Sequence, residues 1–345
     1  MLPGGLLVLG VFLITSPDLS KDVQNALRKL VFAVEKSSMK NRLWHFEEGD
    51  VSERIALHIC SATRKVTCRT FDVNDPKSTA KPADWKYQNF ASSWLMIDCN
   101  VHLDVTIPLT SSSFQDQQKS TRLGLAKWAK EIENAVVLFN GQTKDINEDL
   151  FEDLKKSSRS ANHSSPQIIT TNILTSSPVI EDTRTTALVQ SCKSSLTIHG
   201  VVKCRGYVHS NRPKVKDAVQ AIKRDILNTT KDRCEILFED IILNGLQREK
   251  DVWQLPQRVF VPIHGSSLLL CDYLFGDETA NDLQSHFLEI LDQDVQQDGL
   301  EFTEQKSSKT IAEEKENISQ PQHTTGVQTN SSKSSSEIRL NKGFL

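Results

Sequence analysis

The chain has 345 residues, 38% of them hydrophobic, and a net charge of −3 at neutral pH. The length suits about two domains at roughly 100–200 residues each, and an apolar share below the ~45–50% usual for globular chains implies packed regions joined by polar polymer. The charge balance supplies no field to hold nucleic acid, and no basic stripe with interleaved aromatics stands out, which excludes nucleic-acid binding.

In chain order, the opening run Met1-Leu-Pro-Gly-Gly-Leu-Leu-Val-Leu-Gly-Val-Phe-Leu-Ile-Thr15 lacks the basic start and cleavage site of a signal peptide. It is also short of the ~20 apolar residues of a membrane span. It reads as a fully buried strand over residues 6–14, entered by a Gly-Gly turn. Ser16-Pro17-Asp18 signals a helix start, and Leu19, Val23, Ala26, Leu27, Leu30 and Val34 follow at helical spacing to about residue 38. Residues 54–60 and 65–71 flank a short polar connection, as in a hairpin. From Trp94 to Ile107, apolar and polar residues alternate strictly, the period of a half-buried strand, which Pro108 is expected to stop. Leu123, Leu125, Trp128 and Ile132 predict a helix that could run on through Val136-Val-Leu-Phe139 to a turn at Asn140-Gly141.

Residues 151–186 are rich in Ser, Thr and Asn and read as a linker. Strand-like runs at 195–199 and 201–208 then precede a helix carrying Val215, Ala218, Val219, Ile222 and Ile226. An apolar run follows from Cys234 to Leu243, then a second hairpin over 258–262 and 268–273. Asp277 is expected to cap a last amphipathic helix bearing Leu283, Phe287, Ile290 and Leu291. Residues from 298 onward are polar and expected to be disordered.

Two of these stretches repeat. Gly10-Val-Phe-Leu-Ile-Thr-Ser-Pro17, leading to Val23-Gln24 and Arg28, matches Gly206-Tyr-Val-His-Ser-Asn-Arg-Pro213, leading to Val219-Gln220 and Arg224, at one constant offset. The prediction is an α/β protein of two similar sheet-plus-helix halves, 1–150 and 187–297, separated by the 151–186 linker and followed by a disordered tail, 298–345.

The chemical inventory is sparse. Cys60, Cys68, Cys99, Cys192, Cys204, Cys234 and Cys271 form no CxxC and no zinc-finger spacing, and read as reduced thiols used as small hydrophobes. Phosphate-loop, dinucleotide, nucleophile-elbow and HExxH motifs are absent from the sequence. One near-match is Gly206-Tyr-Val-His209-Ser210-Asn211, similar to the Gly-Trp-Tyr-His-Ser-His strand end of zinc-dependent MPN-type deubiquitinases. That site needs two His ligands and a downstream acid. Asn211 stands where the second His is required, so the expectation is a metal-free relative of that fold, with no catalytic, cofactor or metal residues. Trp85, Tyr87 and Trp94 lie close together in sequence and are candidate partner-binding anchors, with a loop pinned to its own core as the alternative.

Several long segments in one order resemble a single family, the odr-4-like factors named for abnormal odorant response. They are residues 1–12, Asp75-Pro-Lys-Ser78, Lys81-Pro-Ala-Asp-Trp-Lys-Tyr-Gln88, Trp128-Ala-Lys-Glu-Ile-Glu-Asn134, Pro213-Lys-Val-Lys-Asp-Ala-Val-Gln-Ala221, Lys223-Arg-Asp-Ile-Leu-Asn-Thr229 and Cys271-Asp-Tyr273. The resemblance implies a non-enzymatic adaptor at the cytosolic face of the endoplasmic reticulum membrane. Its implied partners are a subset of G-protein-coupled receptors, odorant receptors among them, and the ubiquitin-fold-modifier-specific protease. The family pattern also has a segment before the position of Met1 and a C-terminal membrane helix. Neither is in this sequence, which implies a cytoplasmic location for an unanchored form. The rival expectation, from the 206–211 near-match, is a hydrolase of ubiquitin-like conjugates.

Overall fold

The computed structural model describes residues 2–19, 22–40, 42–44, 51–86, 93–111, 113–151, 168–175, 192–243, 252–276, 278–292, 294–304 and 336–342. The chain is mixed α/β and divides into two compact units, Leu6–Ser92 and Met1–Gly5 with Ser93–Leu345.

The Leu6–Ser92 unit holds β1 (Gly10–Thr15), α1 (Val23–Met39), β2 (Glu53–Cys60), β3 (Val66–Asp72) and β4 (Lys81–Pro82), in the sheet order β1-β2-β3-β4. β1 and β2 are parallel, so the chain needs a crossover between them, and α1 supplies it. β2 and β3 form the expected antiparallel hairpin. Val23, Leu27 and Val31 make one stripe of α1 and pack with Ala56 and Phe71. Arg54, buried in β2, reaches Glu35 on α1 at 2.9 Å through Nε and the Val51 carbonyl at 2.6 Å through Nη1.

Two expectations change in this unit. The start signal at Ser16-Pro17-Asp18 makes only a short 3₁₀ turn, Pro17–Leu19, and the α-helix begins at Val23. β1 is not fully buried: it is an edge strand whose Val11 and Leu13 face the core while Phe12 and Ile14 are exposed. Val23→Asp places an unpaired charge in the α1 stripe. It should cost at least ~3 kcal/mol, read as a lowered midpoint in urea unfolding of the full chain.

The second unit is built on a six-stranded sheet. Its elements are β5 (Trp94–Leu109), α2 (Phe114–Asn134), β6 (Val136–Phe139), β7 (Ile168–Leu174), β8 (Ser194–His209), α3 (Val215–Leu243), β9 (Val252–Gln254), β10 (Gln257–Pro262), β11 (Leu269–Leu274), α4 (Ala280–Leu291), β12 (Glu301–Phe302) and β13 (Glu337–Lys342). The large sheet runs β6-β7-β5-β8-β13-β9, and a small one runs β11-β10-β12. β5 and β8 pair antiparallel in unbroken register from Trp94↔His209 to Leu109↔Ser194. The odd-numbered residues Leu95 to Ile107 are buried, as the alternation predicts.

That long pairing moves the boundaries. β5 was expected in the first half and β8 in the second, but they are the central strands of one sheet, and the units divide at Ser92 and Ser93 instead of near 150. The repeated strand–turn–helix is present as β1–α1 and as β8–α3. The sheets built on the two copies differ, since β1 pairs parallel with β2 while β8 pairs antiparallel with β5 and β13.

Other corrections follow from pairing. β5 continues through Pro108 to Leu109, because β7 borders it only from Met96 to Cys99 and leaves room for a residue without an N–H. α2 stops at Asn134 and Val136–Phe139 is a strand, so the helix does not run on. Asn140 and Gly141 both take positive φ (50° and 83°), which makes the predicted turn. Leu123 is exposed instead of packed. The run from Cys234 to Leu243 continues α3 as one 29-residue helix.

The 151–186 linker contains β7, which lies beside β5 in the sheet. The tail contributes β12 and β13, so the expectation of disorder from 298 onward fails at both, while 305–335 lies outside the described residues. Asp277 also lies outside them; the cap of α4 is Thr279, in a reciprocal capping box with Asp282.

One carboxylate organises this unit. Asp225 on α3 is 1% exposed and accepts four hydrogen bonds. Gly4 N–H donates at 2.9 Å, Arg205 N–H at 2.7 Å, and Arg258 Nη1 and Nη2 at 2.7 and 2.9 Å. Residue 4 also bridges β8 through Gly4 N–H to the Arg205 carbonyl (3.0 Å) and Tyr207 N–H to the Gly4 carbonyl (2.8 Å). A Cβ at Gly4 would collide with the Ala221 carbonyl oxygen, so the residue must be glycine. Burial opposes the charge on Arg258, but Asp225 together with Cys271 and Tyr273 outweighs it, and the guanidinium pKa stands well above its ordinary value.

Around this centre Arg205 pairs with Asp98 (Nε, 3.1 Å) and with Glu301 on β12. Arg233 on α3 pairs with Glu304 and donates to the Pro256 carbonyl at 2.7 Å.

Asp225→Ala leaves Arg258 buried without its partner and should cost about 3–5 kcal/mol. Replacing both, Asp225→Leu with Arg258→Met, should cost clearly less than the single change, as urea unfolding of the two variants will read. The Arg205 hydrogen bond holds the Glu301 carboxyl below the usual range. Its contribution is therefore complete above the ordinary glutamate pKa of about 4.3 and is lost as pH falls through the lowered folded value. Between pH 6 and 3 the melting temperature of the native chain should fall more steeply than that of Glu301→Gln.

Candidate functional site

The 206–211 near-match lies at the end of β8, where the chain turns toward α3. His209 accepts a hydrogen bond at Nδ1 from Asn211 N–H at 3.2 Å. Its ring meets Trp94 edge-on, with centroids 5.4 Å apart and planes at 81°. The imidazole thus braces the turn and the first residue of β5. Among the described residues no three His, Cys, Asp or Glu side chains are placed to hold a metal ion. At the matching place in β1, Thr15 Oγ1 lies 2.9 Å from His58 Nε2.

The seven cysteines are all reduced, none of them in a disulfide. Cys68, Cys99, Cys204, Cys234 and Cys271 are buried, as small hydrophobes should be. Burial pushes the Cys99 thiol up to about 11 and Cys234 up to about 12, and raises Cys204 well above the ordinary range. Cys60, at the end of β2, differs: hydrogen bonds from the Thr63 side chain and backbone lower its pKa. Cys271 Sγ accepts from Arg258 Nε at 3.2 Å, so this thiol is part of the ion-pair centre.

The three candidate anchors are not gathered into one site. Trp85 lies in the Leu6–Ser92 unit, just after β4, and is 46% exposed. Trp94 opens β5 in the other unit and is half-buried against His209. Tyr87 lies outside the described residues.

A further surface lies at β1, the end strand of its sheet among the described residues. Phe12 and Ile14 are exposed on the strand and Leu7, Val8 and Leu9 just before it, with no charge or proline from Leu6 to Ile14. Edge strands usually carry such gatekeepers. The signal was present as an unbroken apolar run, but a run of that kind reads equally as a central strand. Among the described residues no helix is long and apolar enough to cross a membrane.

Comparison with known proteins gives one consistent result. The sequence model of the ODR4-like family, Odorant response abnormal 4-like, matches residues 1–302. The Protein odr-4 homolog of Xenopus laevis is 69% identical over 347 residues, covering all of this chain and 78% of the relative. The Homo sapiens homolog is 54% identical over 314 residues, covering 89% of this chain and 69% of the relative. Among solved structures, UfSP from C. elegans overlays with a TM-score of 0.37 and 10% identity, covering 59% of this chain and 34% of that one, too distant a likeness to argue from. A family match that runs through both compact units, with relatives of such high identity, leads to one conclusion: the chain belongs to the ODR4-like family.

Proposed function

We propose that this chain is a non-enzymatic adaptor that works by binding. In this reading it helps a subset of G-protein-coupled receptors leave the endoplasmic reticulum and recruits the ubiquitin-fold-modifier-specific protease to the cytosolic face of that membrane. The observation that carries the reading is membership of the ODR4-like family over residues 1–302. Its physical support is the uncharged edge of β1, with Phe12 and Ile14 exposed, and the exposed indole of Trp85. Sheet edges take up an added strand through backbone hydrogen bonds, and exposed aromatics anchor protein partners.

The test is rescue and capture. Cells lacking the endogenous family member are given this chain, and receptor surface display and protease co-precipitation are measured. Both should rise; if neither changes, the reading fails. Trp85→Ala should lower co-precipitation at least several-fold while leaving the melting temperature within a degree or two. A Trp85→Ala chain that binds as well as the native one removes Trp85 from the proposed surface.

A further inference from the structure

Cys99 on β5 and Cys204 on β8 stand directly opposite each other in the register of the central strand pair. Both are unpaired thiols, 1% and 0% exposed, on the face of the sheet covered by helix. The type of pair follows from the neighbouring hydrogen bonds. Arg205 sends its N–H to Asp225 and Tyr207 sends its N–H to the Gly4 carbonyl, both on the side of β8 away from β5. Backbone groups alternate along a strand, so Cys204 turns its own N–H and carbonyl toward β5 and makes a hydrogen-bonded pair with Cys99. Such pairs have Cα atoms about 5.5 Å apart, inside the ~4.4–6.8 Å window of a disulfide.

We propose that Cys99 and Cys204 are a reversible redox pair, which a peroxide converts to a disulfide bridging the two central strands. One thiol, as thiolate, attacks a peroxide oxygen; the O–O bond breaks, and the products are a sulfenic acid and one water. The other thiol attacks that sulfur, expels a second water and forms the S–S bond. Two thiols thus lose two hydrogens to one peroxide.

Position makes the bond labile. Directly opposed Cβ atoms sit about 4.5–5.5 Å apart, whereas a relaxed disulfide wants about 3.5–4.5 Å. The strands must draw together, and strain of this kind makes a disulfide easier to reduce. Burial keeps both thiols protonated at neutral pH, with Cys99 pushed up to about 11, so oxidation is slow and is favoured by raised pH or by opening of the covering helix.

The experiment uses the full chain. It is exposed to hydrogen peroxide, its free thiols are alkylated, and the unreduced digest is examined by mass spectrometry. The expected result is a peptide pair joined through Cys99 and Cys204, two fewer alkylated thiols of the seven, and full recovery after mild reduction with glutathione. Cys204→Ser should abolish the link, and Cys192→Ser, at an exposed position, should leave it. A parallel oxidation in concentrated guanidinium guards against a misfolded variant, because the native register should favour this pair at least several-fold over its yield in the unfolded chain. Oxidation of the folded chain to other pairs, or to sulfinic acids without the 99–204 link, would overturn the proposal, as would equal yield from the unfolded chain.

Discussion

The carboxylate of Asp225 is the contact on which the larger unit turns. It sits on a helix, nearly sealed from water, and its acceptor capacity is used by donors from residues 4, 205 and 258. A lone buried carboxylate would be too costly to keep ionised. Here Arg258 supplies the opposing charge in a two-pronged geometry, and two peptide N–H groups fill the remaining positions. Those three partners lie far apart in the chain, so satisfying one side chain sets where the opening segment, β8 and β10 must meet α3. Such a pair is weak evidence for net stability, but it penalises every arrangement in which one partner is missing.

The same logic extends outward through arginine. Arg205 and Arg258 both lie over the Phe260 ring, at 4.4 and 4.7 Å, while their guanidinium groups reach carboxylates. Arg233 is wholly buried and bonds Glu304, the Pro256 carbonyl and Ser336 Oγ. Planar, weakly hydrated guanidinium groups suit these positions, where a lysine would make fewer bonds at greater desolvation cost. Their effect is to fasten β12 and the residue before β13, pieces of a polar tail, onto β8 and α3. Chemistry that can be mistaken for a reactive site here holds strands and helix together.

Much of this was legible from residue order. The two-residue period from Trp94 to Ile107 marked β5, the α1 stripe showed at helical spacing, and the 54–71 hairpin was readable from its polar connection. The duplicated strand–turn–helix was visible because Gly, Pro, Val, Gln and Arg recur at a fixed offset. Long segments in one order also marked the ODR4-like family. The candidate anchors were harder: Trp85 and Trp94 are near neighbours in sequence, yet the unit boundary at Ser92 falls between them.

By itself, then, the sequence determined the strongly periodic elements, β5 and the α1 stripe, the 54–71 hairpin, and the family to which the chain belongs. These are local or cumulative properties, set by the spacing of side chains over a few turns or by similarity summed along the chain. The tertiary structure alone decided that β5 and β8 join two expected halves into one sheet, that β7 and β13 arise inside stretches read as linker and tail, and that Cys99 faces Cys204. Each depends on partners distant in the chain or on backbone hydrogen bonds that any sequence can make, and neither leaves a periodic mark on the residues themselves.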